Sequence, residues 1–221
     1  MKNIDLKLPA LPWQEIHPSL RPSHATLLLA DFTRITRTCK NVVELGCGIG
    51  TITFVLAERY PFLHLVGLDV DTTAVEMAHR FAKELNLESR ISFMNLDVRE
   101  VERHFPAEVF DAVIFNPPYH VEGQSSHDPD RRRVREASLE LLEGFVRAAN
   151  YLVKNRGRVF TAVKPQVFMH LVHFMQRFRL EPKRLRFAHG KLDKRAFLVL
   201  IESMKNGGRE VLVEPPYIVE L

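Results

Sequence analysis

Short apolar runs that alternate with segments of helical periodicity are what most constrain this chain. "NVVEL" is followed by a glycine-rich turn, "GCGIG", and a helix expected to begin at about Thr51. "LHLVGLDV" reads as a second strand and "TTAVEMAHRFAKELNL" as the helix after it, with "RISFMNL" and "VFDAVIF" as third and fourth strands. Further along come the helix "VREASLELLEGFVRAANYLVK", the strand "GRVFTAV", the helix "QVFMHLVHFMQRF" and two closing strands, "KRLRFA" and "AFLVLIE". Apolar strands that recur with helices between them need cover on both faces. This predicts an α/β fold: a doubly wound, mostly parallel seven-stranded sheet with helices on both faces. The closing pair has no helix between its members, so an antiparallel edge strand is expected. Ligands of such sheets sit beyond the carboxyl ends of the strands, near the topological switch point.

No repeat, low-complexity tract or long linker divides the 221 residues. The expected organisation is an extended arm over 1–20, with Pro9, Pro12 and Pro18, and one domain over 21–221. Ser23 is placed to cap a helix whose apolar face includes Leu27, Leu28 and Phe32. The two cysteines, Cys39 and Cys47, have neither metal spacing nor a disulfide framework, which points to a reducing compartment. The first twenty residues lack a signal peptide's apolar core, and no stretch reaches membrane-spanning length. The chain is therefore expected to be cytoplasmic, with no membrane partner and no metal. A net charge of +4 and a pI near 9.2 permit a nucleic-acid partner without requiring one.

The turn "VVELGCGIG" puts Gly46, Gly48 and Gly50 between the first strand and its helix, where backbone must bend sharply and approach a ligand closely. Asp69 ends the second strand about twenty residues on, as an acid that bonds ribose hydroxyls does. Asp97 follows the third strand, and Glu44 precedes the glycines. Each alone is equally a helix cap or a tight turn. Together, an acid at each successive strand end suits a cationic ligand better than a pyrophosphate, which favours amides and basic groups. S-adenosylmethionine, a sulfonium with an amino group, carries such a charge.

"VIFNPPYH" ends the fourth strand on Asn116, Pro117, Pro118 and Tyr119. The prolines fix their own φ and drive the preceding residue from helical backbone, so this corner is rigid. The Asn116 side-chain carbonyl and the Pro117 backbone carbonyl can each accept one N–H of a planar amine. Held so, the nitrogen's lone pair can be aimed at an electrophile before the barrier is climbed. Tyr119 offers a ring on which a base can stack. The alternative is a plain strand-terminating turn.

The glycine turn with its three acids resembles the class I S-adenosylmethionine-dependent methyltransferases, which have a Rossmann-like sheet. That resemblance implies that Gly46, Gly48 and Gly50 line the methionine part of the cofactor, Asp69 its ribose and Asp97 its adenine; Glu44 and Asn116 are further candidates for the cofactor site. The Asn-Pro-Pro-Tyr corner resembles that of members that methylate amino nitrogens: adenine N6, cytosine N4, guanine N2 and glutamine N5. "RPSHATLLLADF", "NPPYHVEG", "EPKRLRFAHG" and "EPPYIVEL" follow the layout of the tRNA adenine-N6 group typified by the valine-tRNA enzyme, from about Ser19 onward. This implies an RNA partner, tRNA, with Asn116, Pro117 and Tyr119 catalytic. The chain departs from that group at Ala25, where an Asp is frequent, and at "VREA", where only Arg135 matches. "NPPYH" is also similar to the corner of ribosomal-RNA guanine-N2 enzymes, and a glutamine-N5 protein methyltransferase is a further alternative. An RNA-binding protein that kept this fold without catalysis is another.

Pro118 and Tyr119, with Arg131, Arg132, Arg133 and Arg135 just beyond them, are candidates for holding the substrate and its phosphates. Asp128, Asp130 and Glu136 beside the arginines allow a solvated surface equally. A second basic region, Lys183, Arg184, Arg186, Lys191, Lys194 and Arg195, reads as solvated surface.

Overall fold

The computed structural model describes residues 11, 16–118 and 129–219, with the side chains of residues 19 and 129–135 outside that description. Most of the arm, Tyr119 and the polar stretch after it therefore lie outside the described residues. The elements are α1 (His24–Phe32), β1 (Asn41–Leu45), α2 (Thr51–Arg59), β2 (His64–Asp69), α3 (Thr72–Glu84) and β3 (Ile91–Asn95). They continue with α4 (Val101–His104), β4 (Phe110–Phe115), α5 (Pro129–Leu152), β5 (Val153–Val163), α6 (Phe168–Arg177), β6 (Leu180–His189) and β7 (Ala196–Lys205), then the two-residue strands β8 (Leu212–Val213) and β9 (Tyr217–Ile218). No helix among the described residues is long and apolar enough to cross a membrane.

Nine strands form one sheet in the order β3-β2-β1-β4-β5-β7-β6-β8, with β9 paired to β6. β3, β2, β1, β4 and β5 are parallel throughout. The chain starts in the middle, winds to β3 and returns through β4, so the switch point lies between β1 and β4. The reversed strand is β7, set between β5 and β6 toward one edge, with β6 restored to the direction of β5. This exceeds the seven expected strands only by β8 and β9, both from the terminal segment "EVLVEPPYIVEL".

Strand residues alternate between two apolar layers, as a period of two requires. Val42, Ala112, Ile114, Phe160 and Ala162 pack on the side of α1, α2 and α3. Val43, Leu45, Val113, Phe115 and Val159 pack on the side of α4, α5 and α6. Helix α5 begins five residues before the expected "VREAS", because Pro129 fits a first helical turn, where its missing N–H has no partner to lose. It ends at Leu152, and Val153 and Lys154, expected in the helix, belong to β5 instead. The short α4 was not foreseen.

Two interactions fix α1 on this frame. Arg184, buried in β6, donates to the Phe32 carbonyl (2.8 Å) and lies over the Phe32 ring at 3.8 Å. The Tyr217 hydroxyl in β9 bonds the Asp31 carboxylate. Arg184 is neutralised by Glu202 (2.7 Å) and Glu214 (3.3 Å), which a buried guanidinium needs. These contacts anchor the last turn of α1.

Candidate active site

At the carboxyl ends of the strands lies a cleft of about 880 Å³. Its wall begins with the turn after β1. Gly46, Gly48 and Gly50 have φ of +69°, +53° and +81°, in the left-handed region. The turn is tied to β2: Gly46 and Cys47 N–H donate to the Leu68 carbonyl (2.8 and 3.0 Å), and Gly48 N–H donates to Asp69 Oδ2 (2.6 Å). Asp69 Oδ1 accepts from Asp71 N–H at 2.9 Å. One carboxylate thus shapes the loop and also borders the cleft, where it can accept from a ligand.

The three glycines divide their work. Gly46 and Gly48 line the cleft; Gly50 does not. A Cβ on Gly48 would meet nothing within 4 Å, so the space before it is open to a ligand. A Cβ on Gly50 would stand 2.6 Å from the Phe93 ring, so Gly50 serves core packing and the start of α2. Glu44 also stays outside the cleft lining. It is buried beneath α2, where its Oε2 accepts from Thr53 N–H (2.9 Å) and Thr53 Oγ1–H (2.6 Å). Burial pushes its carboxyl up to about 8 against the lowering effect of those bonds. Those bonds brace the turn and helix behind the cleft.

Asp97 borders the cleft after β3, but its carboxylate is already engaged. Arg99 grips it (Nε 3.0 Å to each oxygen, Nη2 2.5 Å), and Arg99 N–H caps onto it at 2.9 Å. That bonding holds the Asp97 carboxyl below its ordinary value. Leu68, Val70, Leu96 and Val98 supply an apolar groove beside the two acids. Val70 is 64% exposed, an apolar side chain at a strand tip with a free face.

Asn116, Pro117 and Pro118 enter the same cleft from the end of β4. Asn116 is half-buried, and its Nδ2 donates to Thr26 Oγ1 at 3.4 Å, within 3.0 Å of which lies the Ser23 hydroxyl that caps α1. With Nδ2 so directed, Oδ1 is the end left to accept a hydrogen bond. Tyr119 and the side chains of Arg131, Arg132, Arg133 and Arg135 lie outside the described residues. Leu141 and Phe145, four apart on α5, close another side; Phe145 leans on Phe115 at 5.7 Å.

Lys164, Phe197 and Leu198 also border the cleft, and sequence reasoning overlooked all three. Lys164 directly follows β5 as Asn116 follows β4, so the rule that strand tips carry the site would have found it. Phe197 and Leu198 come from the start of β7, whose reversed direction hid them. The cleft therefore runs from carboxylates and an apolar groove, through an amide and two prolines, to a cation. It can hold a partly apolar cationic ligand at one end and a flat amine at its centre.

The methyltransferase small domain family matches residues 22–170, about two thirds of the chain. The release factor glutamine methyltransferase of Homo sapiens is 27% identical over 136 residues, covering 57% of this chain and 40% of that protein. The tRNA1(Val) (adenine(37)-N6)-methyltransferase of Flavobacterium psychrophilum is 22% identical over 191 residues, covering 85% of this chain and 81% of that protein. The chain spans about half the length of several of the curated relatives it matches. Among solved structures, a predicted O-methyltransferase from Agrobacterium tumefaciens superposes with a TM-score of 0.70 at 22% identity, covering 86% of this chain and 85% of that one. This last likeness concerns the fold.

Proposed function

Because the chain belongs to the methyltransferase small domain family, we propose that it transfers a methyl group from S-adenosylmethionine to an exocyclic amino nitrogen of a nucleobase, adenine N6 in tRNA. The observation that carries this reading is that Asn116 and Pro117 share one cleft with Gly46, Gly48, Asp69 and Asp97.

The residues present fit the cofactor. Open space before Gly48 admits its backbone-bound part, each Asp69 oxygen can accept a further bond from a ribose hydroxyl beside the backbone N–H it already accepts, and the groove of Leu68, Val70, Leu96 and Val98 suits an adenine ring. With Asp97 held by Arg99, the pair fixes that end of the cleft more than it adds charge. When bound, the sulfonium supplies an electrophilic methyl group. Asn116 Oδ1 and the Pro117 carbonyl each accept one N–H of the substrate amine, drawing its lone pair out of the ring and toward that methyl. Thr26 orients the Asn116 amide, and the two prolines hold both acceptors before the substrate arrives. The methyl would pass to the nitrogen as its bond to sulfur breaks and leaves a neutral thioether, and the nitrogen would then release a proton to solvent, so no dedicated base is needed.

A tRNA substrate is supported by the relative from Flavobacterium psychrophilum, whose name states that chemistry. Incubation with undermodified total RNA and labelled cofactor, followed by nucleoside analysis, tests the proposal; N6-methyladenosine is expected. N2-methylguanosine as sole product would reject adenine. A second reading, glutamine N5 in a protein, is favoured by the human relative and by the fit of a primary amide between the same two acceptors. Label entering protein and not RNA would establish that reading instead.

A further inference from the structure

The order of strands lays charge out along the cleft in one direction. Asp97 follows β3 and Asp69 ends β2, the glycine turn follows β1, Asn116 follows β4, and Lys164 follows β5. Next in line is β7, whose first residues Phe197 and Leu198 border the cleft, and then β6. Because β6 runs parallel to β5, the β6–β7 hairpin, residues 190–195, emerges at this same edge. It carries Lys191, Lys194 and Arg195, all exposed. Asp69, with the Asp97–Arg99 ion pair beyond it, thus stands on one side of Asn116, and the cations of Lys164 and the hairpin stand on the other. At about 5 Å per strand, Lys164 is one strand from the acceptor pair and the hairpin two to three.

The basic residues of the hairpin are free to act. Among the described residues no ion pair engages Lys164, Lys191 or Arg195, and Lys194 has only Asp193 at 4.0 Å. The other cations of the same region are each engaged by groups of the fold. Arg184 is buried between Glu202 and Glu214, Arg186 stacks on Tyr217 at 3.4 Å, and Lys183 donates to the Gly208 carbonyl at 3.1 Å. The hairpin is also fixed in place. Lys194 N–H donates to the Lys191 carbonyl (3.0 Å), His189 Nδ1 bonds the Lys194 carbonyl (2.6 Å), and Val219 N–H donates to the His189 carbonyl (2.8 Å).

A base inserted between Asn116 and Pro117 brings its own flanking phosphates to the mouth of the cleft. They would be repelled at the Asp69 end and attracted at the Lys164 end. We infer that Lys164 and the β6–β7 hairpin form a cationic rim that holds the phosphates on either side of the acceptor nucleotide in an unpaired RNA segment. The inference rests on the RNA reading proposed above. It separates the solvated basic surface suggested by composition into two parts: residues locked into the fold, and residues that bind substrate.

The test compares the full chain with its K191Q/K194Q/R195Q variant, binding undermodified bulk tRNA by fluorescence anisotropy over a salt series. Three lost phosphate contacts should make the slope of log affinity against log salt shallower by about 2 and weaken binding roughly tenfold or more at moderate salt. Affinity for S-adenosylmethionine and the thermal midpoint should not change. Lys164→Gln alone should reduce the slope by about 0.7, and Lys164→Arg should restore it. If the unaltered chain binds and methylates RNA while the triple variant keeps its slope and affinity, the rim is wrong and the RNA reading stands. If the unaltered chain ignores RNA and methylates protein, both fall.

Discussion

Gly48 and Gly50 lie two residues apart with similar left-handed backbone, yet alanine at each should fail in a different way. Both substitutions incur the left-handed penalty, roughly 1–2 kcal/mol. Gly50→Ala also drives a methyl to 2.6 Å from Phe93 Cζ and 2.7 Å from Cε1, with Phe54 at 3.1 Å, in a buried cluster that cannot yield freely. Overpacking of that kind adds about 1–3 kcal/mol. The sum, about 2–5 kcal/mol, should lower the melting midpoint by roughly 4–20 °C in a chain of this size. Gly48→Ala meets no atom within 4 Å, so its midpoint should fall by only about 2–8 °C. Its methyl instead enters the cleft, and affinity for S-adenosylmethionine should fall roughly tenfold or more, on the scale of about 1.4 kcal/mol per decade. Calorimetry of the free proteins and isothermal titration with the cofactor separate the two effects. Adding Phe93→Leu should recover part of the Gly50→Ala loss, since residues in contact couple and distant ones do not. Equal midpoints for the two alanine variants, or unaltered cofactor affinity in Gly48→Ala, would refute the division of roles.

Glu44 makes stability depend on pH. Its folded carboxyl is raised from 4.5 to about 8, so the folded state keeps a proton that the unfolded chain has released. That contribution is fully present below pH 4.5 and is lost as pH rises through about 8. Denaturant midpoints should therefore fall across this window, by an amount on the order of a few kcal/mol, and Glu44→Gln should flatten the fall. A Glu44→Gln chain with the same pH profile as the unaltered one would contradict this. Asp69→Ala removes the acceptor for both Gly48 N–H and Asp71 N–H, so cofactor affinity should drop about 10- to 100-fold through a loosened turn and lost ribose contact. Titration showing unchanged affinity would remove Asp69 from the site.

The parallel core was legible because strands buried on both faces read as continuous apolar runs, and because glycine turns and acids recur at their ends. The Asn116 corner was legible for the same reason: two prolines cannot prolong a strand. What sequence could not give was direction in depth. Glu44 precedes the glycines in the chain, but the alternation of β1 turns it under α2 beside Val42 and away from the cleft. Asp97 stands where expected, yet its oxygens belong to Arg99, two residues on, a pairing that no spacing rule announces. Phe197 and Lys164 border one cleft only because β7 reverses against β5, with Val163 opposite Val199. The basic region from Lys183 to Arg195 was uniform in composition, and burial alone separated Arg184 from the exposed hairpin.

The central claim is that Asn116 holds the substrate amine and does little for the cofactor. Single-turnover transfer and cofactor titration on Asn116→Ala measure both at once, using undermodified RNA and labelled S-adenosylmethionine. Affinity for the cofactor should stay within about threefold while the transfer rate falls about 100-fold or more, the scale of one lost preorganised contact. Transfer at the unaltered rate, or a loss of cofactor binding that accounts for the whole fall, would contradict it.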